Sequence, residues 1–138
     1  MHNYHRIKSI SGLWSRTGNE YYPFRILESK AGILLLTGRW DQAEAIFRNS
    51  IRWADQTGHA GIEAKSKHGL GDIQIKKGEF AQAAVNLGRA LELYREQKDA
   101  SGIISVISDL TALNTFQGEY QAAMQNADQQ VRLAEENR

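Results

Sequence analysis

At 138 residues, with 17 basic against 16 acidic side chains and no cysteine, the chain fits one domain large enough to bury a core. The balanced charge gives no electrostatic case for nucleic acid or an anionic membrane as partner. The missing cysteine excludes disulfides and thiolate metal sites.

A single proline among many Ala, Leu, Gln, Glu and Lys residues favours helix throughout. The start, Met1-His2-Asn3-Tyr4-His5-Arg6, lacks the apolar centre of a signal peptide. The longest apolar run, Ile33 to Leu36, is far short of the ~20 residues a membrane span needs. A soluble, cytoplasmic, all-α protein is therefore expected. Within residues 1–17, Tyr4, Ile7, Ser11 and Trp14 fall on one helical stripe. A second helix is predicted from Tyr22 to Thr37, with Pro23 in its first turn, where a missing N–H costs nothing. Its apolar residues Phe24, Ile26, Leu27, Ala31 and Ile33 to Leu36 go nearly all the way round, which predicts burial on several sides.

From Trp40 to Gln56, the stripe Trp40, Ala43, Phe47, Ile51 and Ala54 predicts another helix, and residues 57–61 a link in which His59 is solvated. The helix from Ile62 to Lys77 is the most polar, with Leu70, Ile73 and the small Gly69 and Gly71 on its packing side. From Phe80 to Gln97 apolar residues recur cleanly at three and four: Phe80, Ala83, Ala84, Leu87, Ala90, Leu91 and Tyr94. In the next link Asp99 or Ser101 is suited to cap a helix. The β-branched stretch Ile103 to Leu113 reads as helix, because its place in a repeating order outweighs propensity. Tyr120, Ala123, Met124, Ala127, Val131 and Ala134 define the last helix.

That order comes from a six-residue phrase written three times: Gly38-Arg39-Trp40-Asp41-Gln42-Ala43, Gly78-Glu79-Phe80-Ala81-Gln82-Ala83 and Gly118-Glu119-Tyr120-Gln121-Ala122-Ala123. The spacing is constant at about forty residues, the signature of a repeat array. Each glycine follows a helical stretch and is suited to the left-handed stop between antiparallel helices. The aromatic two residues on and the alanine three further share a face, and the small alanine lets two helix axes approach. Shifted by the same period, residues 1–17 match the second helix of a repeat. The predicted division is therefore a leftover helix at 1–17 and repeats at 22–61, 62–101 and 102–138, seven helices in one domain. Such an array either continues beyond this chain or has an open end covered by another copy.

These motifs resemble the tetratricopeptide repeat family. Leu70-Gly71, Gly78, Phe80, Ala83, Ala90 and Leu91 stand at signature positions in the second repeat; Gly38, Trp40, Ala43 and Phe47 in the first; Leu110, Gly118, Tyr120 and Ala123 in the third. The period exceeds the usual ~34 residues, as in long-repeat members such as kinesin light chains and bacterial signalling regulators. The proline that often closes a repeat is replaced by Arg95. The resemblance implies a right-handed superhelix of antiparallel helix pairs whose first helices line a partner-binding groove. By register, Arg25, Glu28 and Gly32 would line it from the first repeat, with Lys65, His68, Asp72 and Lys76 from the second. The third would supply Ser105, Ser108, Ala112 and Thr115. Chaperone-binding members clamp a peptide carboxylate with basic and asparagine side chains. The corresponding positions here hold Glu28, Gly32, His68, Asp72, Ser108 and Ala112, so peptides ending in Glu-Glu-Val-Asp are expected not to bind.

Catalytic chemistry finds little support in the residues. His68 and Asp72 are four apart on a helix and could orient one another, but no motif positions a serine or cysteine nucleophile. A surface ion pair is the simpler reading. Gly69-x-Gly71 lacks the strand and the Lys-Ser/Thr ending of a phosphate loop. His2 and His5 supply two metal donors of a needed three or four, and no metal-ligand cluster is visible along the chain. The expected function is a non-catalytic scaffold, without cofactor or metal, that binds a protein or peptide as the sensory or interaction part of a regulatory protein. Self-association through open array ends is the alternative, and a small-molecule receptor or enzyme using His68 and Asp72 the third.

Overall fold

A computed structural model describes residues 21–138. They form α1 (Tyr21–Leu36), α2 (Trp40–Thr57), α3 (Ala60–Lys77), α4 (Phe80–Glu96), α5 (Ala100–Phe116) and α6 (Tyr120–Glu136), with no strand among them. The helix expected over residues 1–17, with Tyr4, Ile7, Ser11 and Trp14, lies outside the described residues, as do His2 and His5. The β-branched stretch from Ile103 to Leu113 is helical, inside α5.

Five turns of one design join these helices. In each, a left-handed residue ends the helix, and the next backbone N–H returns to the carbonyl five residues back. The bonds are Arg39 to Leu34 (2.8 Å), His59 to Ala54 (3.1 Å), Glu79 to Gln74 (2.8 Å), Asp99 to Tyr94 (2.9 Å) and Glu119 to Asn114 (2.7 Å). Four of the left-handed positions are Gly38, Gly58, Gly78 and Gly118; the fifth is Lys98, at φ 56°. A Cβ in that region is strained by roughly 1–2 kcal/mol, partly offset because glycine loses more entropy on folding. Lys98→Gly is therefore expected to stabilise the protein by about 0.5–1 kcal/mol, read as a rise in Tm of a few degrees in thermal denaturation.

The two links between helix pairs also share a cap. The Asp99 carboxylate accepts the Gly102 N–H at 3.0 Å, as expected, and His59 Nδ1 accepts the Ile62 N–H at 3.1 Å. His59 is thus not the solvated loop residue predicted. Its ring lies tilted against Trp53, centroids 6.0 Å apart, and ends the exposed backbone of α3.

Each helix packs on its neighbour in sequence, and the first helices also meet, α1 on α3 and α3 on α5. Two cores result. Phe24, Leu27, Ala31 and Leu34 of α1 join Ala43, Ile46, Phe47, Trp53 and Ala54 of α2 and Ile62, Leu70 and Ile73 of α3. Ala64 of α3 joins Ala83, Leu87, Ala90, Leu93 and Tyr94 of α4 and Val106 and Leu113 of α5. Because α3 serves both, its small residues are contact points. A Cβ on Gly69 would enter the Phe47 ring, and one on Gly71 would stand 2.7 Å from Leu87 Cγ. Within the second core Ala83 is fully buried, whereas Ala84, placed on the same stripe by spacing, is exposed.

One expectation of burial needs correction. On α1, Ile26, Ile33 and Leu36 are exposed, and among the described residues only α2 and α3 cover that helix. On α6, the open end of the array, only Ala123 is buried among the described residues; Tyr120, Met124 and Val131 stand in solvent, because no described element lies over them. The three phrase aromatics accordingly differ in setting: Trp40 and Phe80 pack against the two cores, while Tyr120 is 66% exposed.

Candidate functional site

The first helices α1, α3 and α5 lie side by side, and a cleft of about 360 Å³ opens between them. Glu28 and Gly32 line it from α1, Lys65, His68 and Asp72 from α3, and Ser105 from α5. Those six are among the positions that register assigned to a groove. The others are elsewhere. Arg25, Lys76, Ser108 and Thr115 are exposed outside the cleft, Ala112 does not line it, and the Thr115 hydroxyl donates to the Thr111 carbonyl of its own helix at 2.8 Å.

The remaining lining comes from residues that the register argument passed over. Phe47 and Gly69 form part of the floor, and Tyr94 reaches in from α4 although it is 4% exposed. Asp99, Ser101 and Gly102, at the start of α5, complete the rim. A Cβ on Gly102 would lie 2.5 Å from Tyr94 Cδ1, so the glycine is what lets the ring pass.

At the α3–α5 contact His68 is the centre of a polar cluster. Its Nε2 lies 2.6 Å from Asp109 Oδ2 of α5 and 3.9 Å from Asp72 Oδ2 of its own helix. Its Nδ1 lies 3.3 Å from the Tyr94 hydroxyl, with the rings edge to face. The surface pair read from the sequence is therefore corrected: the shorter partner of His68 comes from another helix, and the ring is largely buried. The expectation of no metal-ligand cluster is corrected too, since His68, Asp72 and Asp109 present one donor atom each, all within 4.8 Å of one another.

Electrostatics divides the three groups. Burial, reinforced by the hydrogen bond and charge of Asp109, pushes the Asp72 carboxyl up to about 8. Burial also works against a charged His68, but the Asp109 hydrogen bond and the two aspartate charges outweigh it, and the ring is raised above its ordinary value. Burial acts on Asp109 as well, yet hydrogen bonds from His68 and Asp72 hold it below the usual carboxylate range. At neutral pH the arrangement is an ionised Asp109 accepting from His68 and from a protonated Asp72.

No protein of curated function matches the chain significantly in sequence. Among solved structures, the crystal structure of the TPR domain of Arabidopsis FLU is similar, with a TM-score of 0.73 over 81% of this chain and 94% of that one. Their sequence identity is 18%, so this likeness speaks for the fold. The sequence profile described as tetratricopeptide repeat matches residues 22–96, more than half of the chain. With glycine-stopped helix pairs, first helices set side by side and that matched span all in agreement, the chain belongs to the tetratricopeptide repeat family.

Proposed function

We propose that this protein is a non-catalytic scaffold that receives a protein or peptide segment along the face made by α1, α3 and α5. In this reading residues 22–61, 62–101 and 102–138 act as three repeats of one domain. They serve as the sensory or interaction part of a larger cytoplasmic regulatory protein. The cleft between the three first helices carries the proposal. It offers charged groups of both signs, a buried aromatic ring and glycine-exposed backbone within one concavity, the mixture that recognises a polypeptide. The hydroxyl beside His68 Nδ1 is the phenol of Tyr94, buried at 4% exposure rather than a serine or threonine presented to the cleft, which favours the scaffold over the enzyme reading.

The test is affinity capture from native lysate with the intact chain, with Lys65→Glu/Ser105→Arg in the cleft, and with Val85→Asp on the exposed side of α4. A partner retained by the parent and by Val85→Asp but lost with the cleft variant is expected. Equal retention by all three would place the interaction elsewhere.

One observation favours self-association as a second reading: Phe116, Tyr120, Met124 and Val131 are each more than half exposed at the α5–α6 end. If that face pairs copies, light scattering across concentrations will show a dimer that Met124→Lys converts to monomer. A monomer at every concentration excludes it.

A further inference from the structure

We propose that His68, Asp72 and Asp109 form a binding site for one divalent transition-metal ion of the zinc class, joining α3 to α5. This goes beyond the scaffold reading and does not depend on it.

The donor set comes first. One imidazole nitrogen and two carboxylate oxygens suit zinc, cobalt, manganese or iron(II); an imidazole argues against calcium and magnesium, which take oxygen. As ligands, two ionised aspartates and a neutral histidine carry two negative charges, which a divalent ion neutralises; at neutral pH the ion binds by displacing the protons held on Asp72 and on His68 Nε2. The ion pairs that these aspartates make in the structure are with His68.

Geometry comes second. An ion about 2.0–2.2 Å from each ligand needs donors roughly 3–4 Å apart. His68 Nε2 stands 2.6 Å from one carboxylate and 3.9 Å from the other, and all three donors fall within 4.8 Å. To take up one ion the 2.6 Å pair must open and the widest pair close, a readjustment we assign to the aspartate χ angles.

A separate feature lies behind the ring. A histidine ligand is oriented by a hydrogen bond at its other nitrogen. Here the Tyr94 hydroxyl, 3.3 Å from Nδ1, can accept an Nδ1–H and leave the Nε2 lone pair facing the carboxylates. Tyr94 is itself wedged over Gly102, so the orienting group is rigid.

Finally, the site is reachable. The side chains of His68, Asp72 and Asp109 are 15%, 34% and 29% exposed, and His68 and Asp72 line the cleft. Three protein ligands leave coordination positions for water or for a donor from a bound segment. Lys65 and Lys76 of α3 act on the same groups at longer range and oppose a cation. They keep the expected affinity below that of a closed structural site.

The test is titration calorimetry of the chelator-stripped 138-residue chain with Zn²⁺, paired with Co²⁺ absorption. We expect one equivalent to bind, with Asp109→Asn and His68→Gln each weakening it at least about tenfold and Tyr94→Phe weakening it a few-fold. A His2→Ala/His5→Ala variant should retain the affinity. Circular dichroism checks that each variant is helical, and Asp72→Asn, which keeps a hydrogen-bond donor toward Asp109, serves if another fails to fold. No binding at millimolar Zn²⁺, or an affinity unchanged by both aspartate substitutions, overturns the proposal.

Discussion

Leu87→Ala should cost about 3 kcal/mol of stability, and adding Gly71→Ala to that variant should restore part of it. Leu87 is fully buried in the core that α3, α4 and α5 share, and truncating a buried leucine costs roughly 2–5 kcal/mol through lost burial and the cavity left behind. The restoration follows from what holds α3 against α4. A methyl on Gly71 would stand 2.7 Å from Leu87 Cγ and 2.8 Å from its Cδ2, an overlap that the wild type avoids only because position 71 has no side chain. With the isobutyl group gone, that methyl enters the vacated space. It also brings the roughly 1 kcal/mol by which alanine exceeds glycine in a helix interior. In the wild-type background Gly71→Ala should instead be neutral or destabilising, since overlap opposes propensity. Urea denaturation of the four proteins closes the cycle. Additive effects would mean that the two residues do not share the space assigned to them.

In chelated buffer, Asp72→Asn should stabilise the protein by about 1–2 kcal/mol above pH 8 and have almost no effect near pH 4. The unfolded Asp72 ionises near its ordinary 3.8, whereas in the native state the carboxyl is pushed up to about 8. Between those values the native state holds a proton that the unfolded chain has released, so stability falls as pH rises through the window. His68 has the same sign. Its folded value is raised above 6.5, so its contribution is complete below 6.5 and lost as pH rises through the folded value. Asp109 is lowered; its contribution is present above 3.8 and lost only as pH falls through its folded value, outside this window. Asp72 is 34% exposed, and solvent screening keeps the effect well below what the full shift would imply. An asparagine keeps a donor toward Asp109 without a charge to repel it. Thermal melts from pH 4 to 9 should slope downward for the wild type and much less for the variant. Parallel curves would show that Asp72 is not held protonated.

How far the site could be read from sequence depended on the residue. The groove register named Glu28, Lys65, His68, Asp72 and Ser105, which line the cleft, because residues on one helix face follow the helical period. On α5 the same register chose Ser108, whereas His68 contacts Asp109, the period equivalent of Gly69. The residue that meets His68 is thus one position past its register partner, a shift that a period taken from the sequence alone does not carry. Tyr94 escaped for another reason. It belongs to the buried stripe of α4, and its hydroxyl enters the cleft only because Gly102 leaves room beside its ring.

Local chemistry and the spacing of a few residues were enough to determine that this chain is helical and repetitive, and where its helices stop. The glycine turns and the aromatic-alanine phrase act within a few residues of themselves, and the left-handed φ at Gly38, Gly78 and Gly118 is a property that glycine carries anywhere. Only the tertiary structure decided which polar groups meet. His68 and Asp109 lie 41 residues apart, and neither is distinctive alone. Their contact, and the shifted acidity of Asp72 beside them, exists because α3 and α5 are stacked closely enough to take all three groups partly out of water.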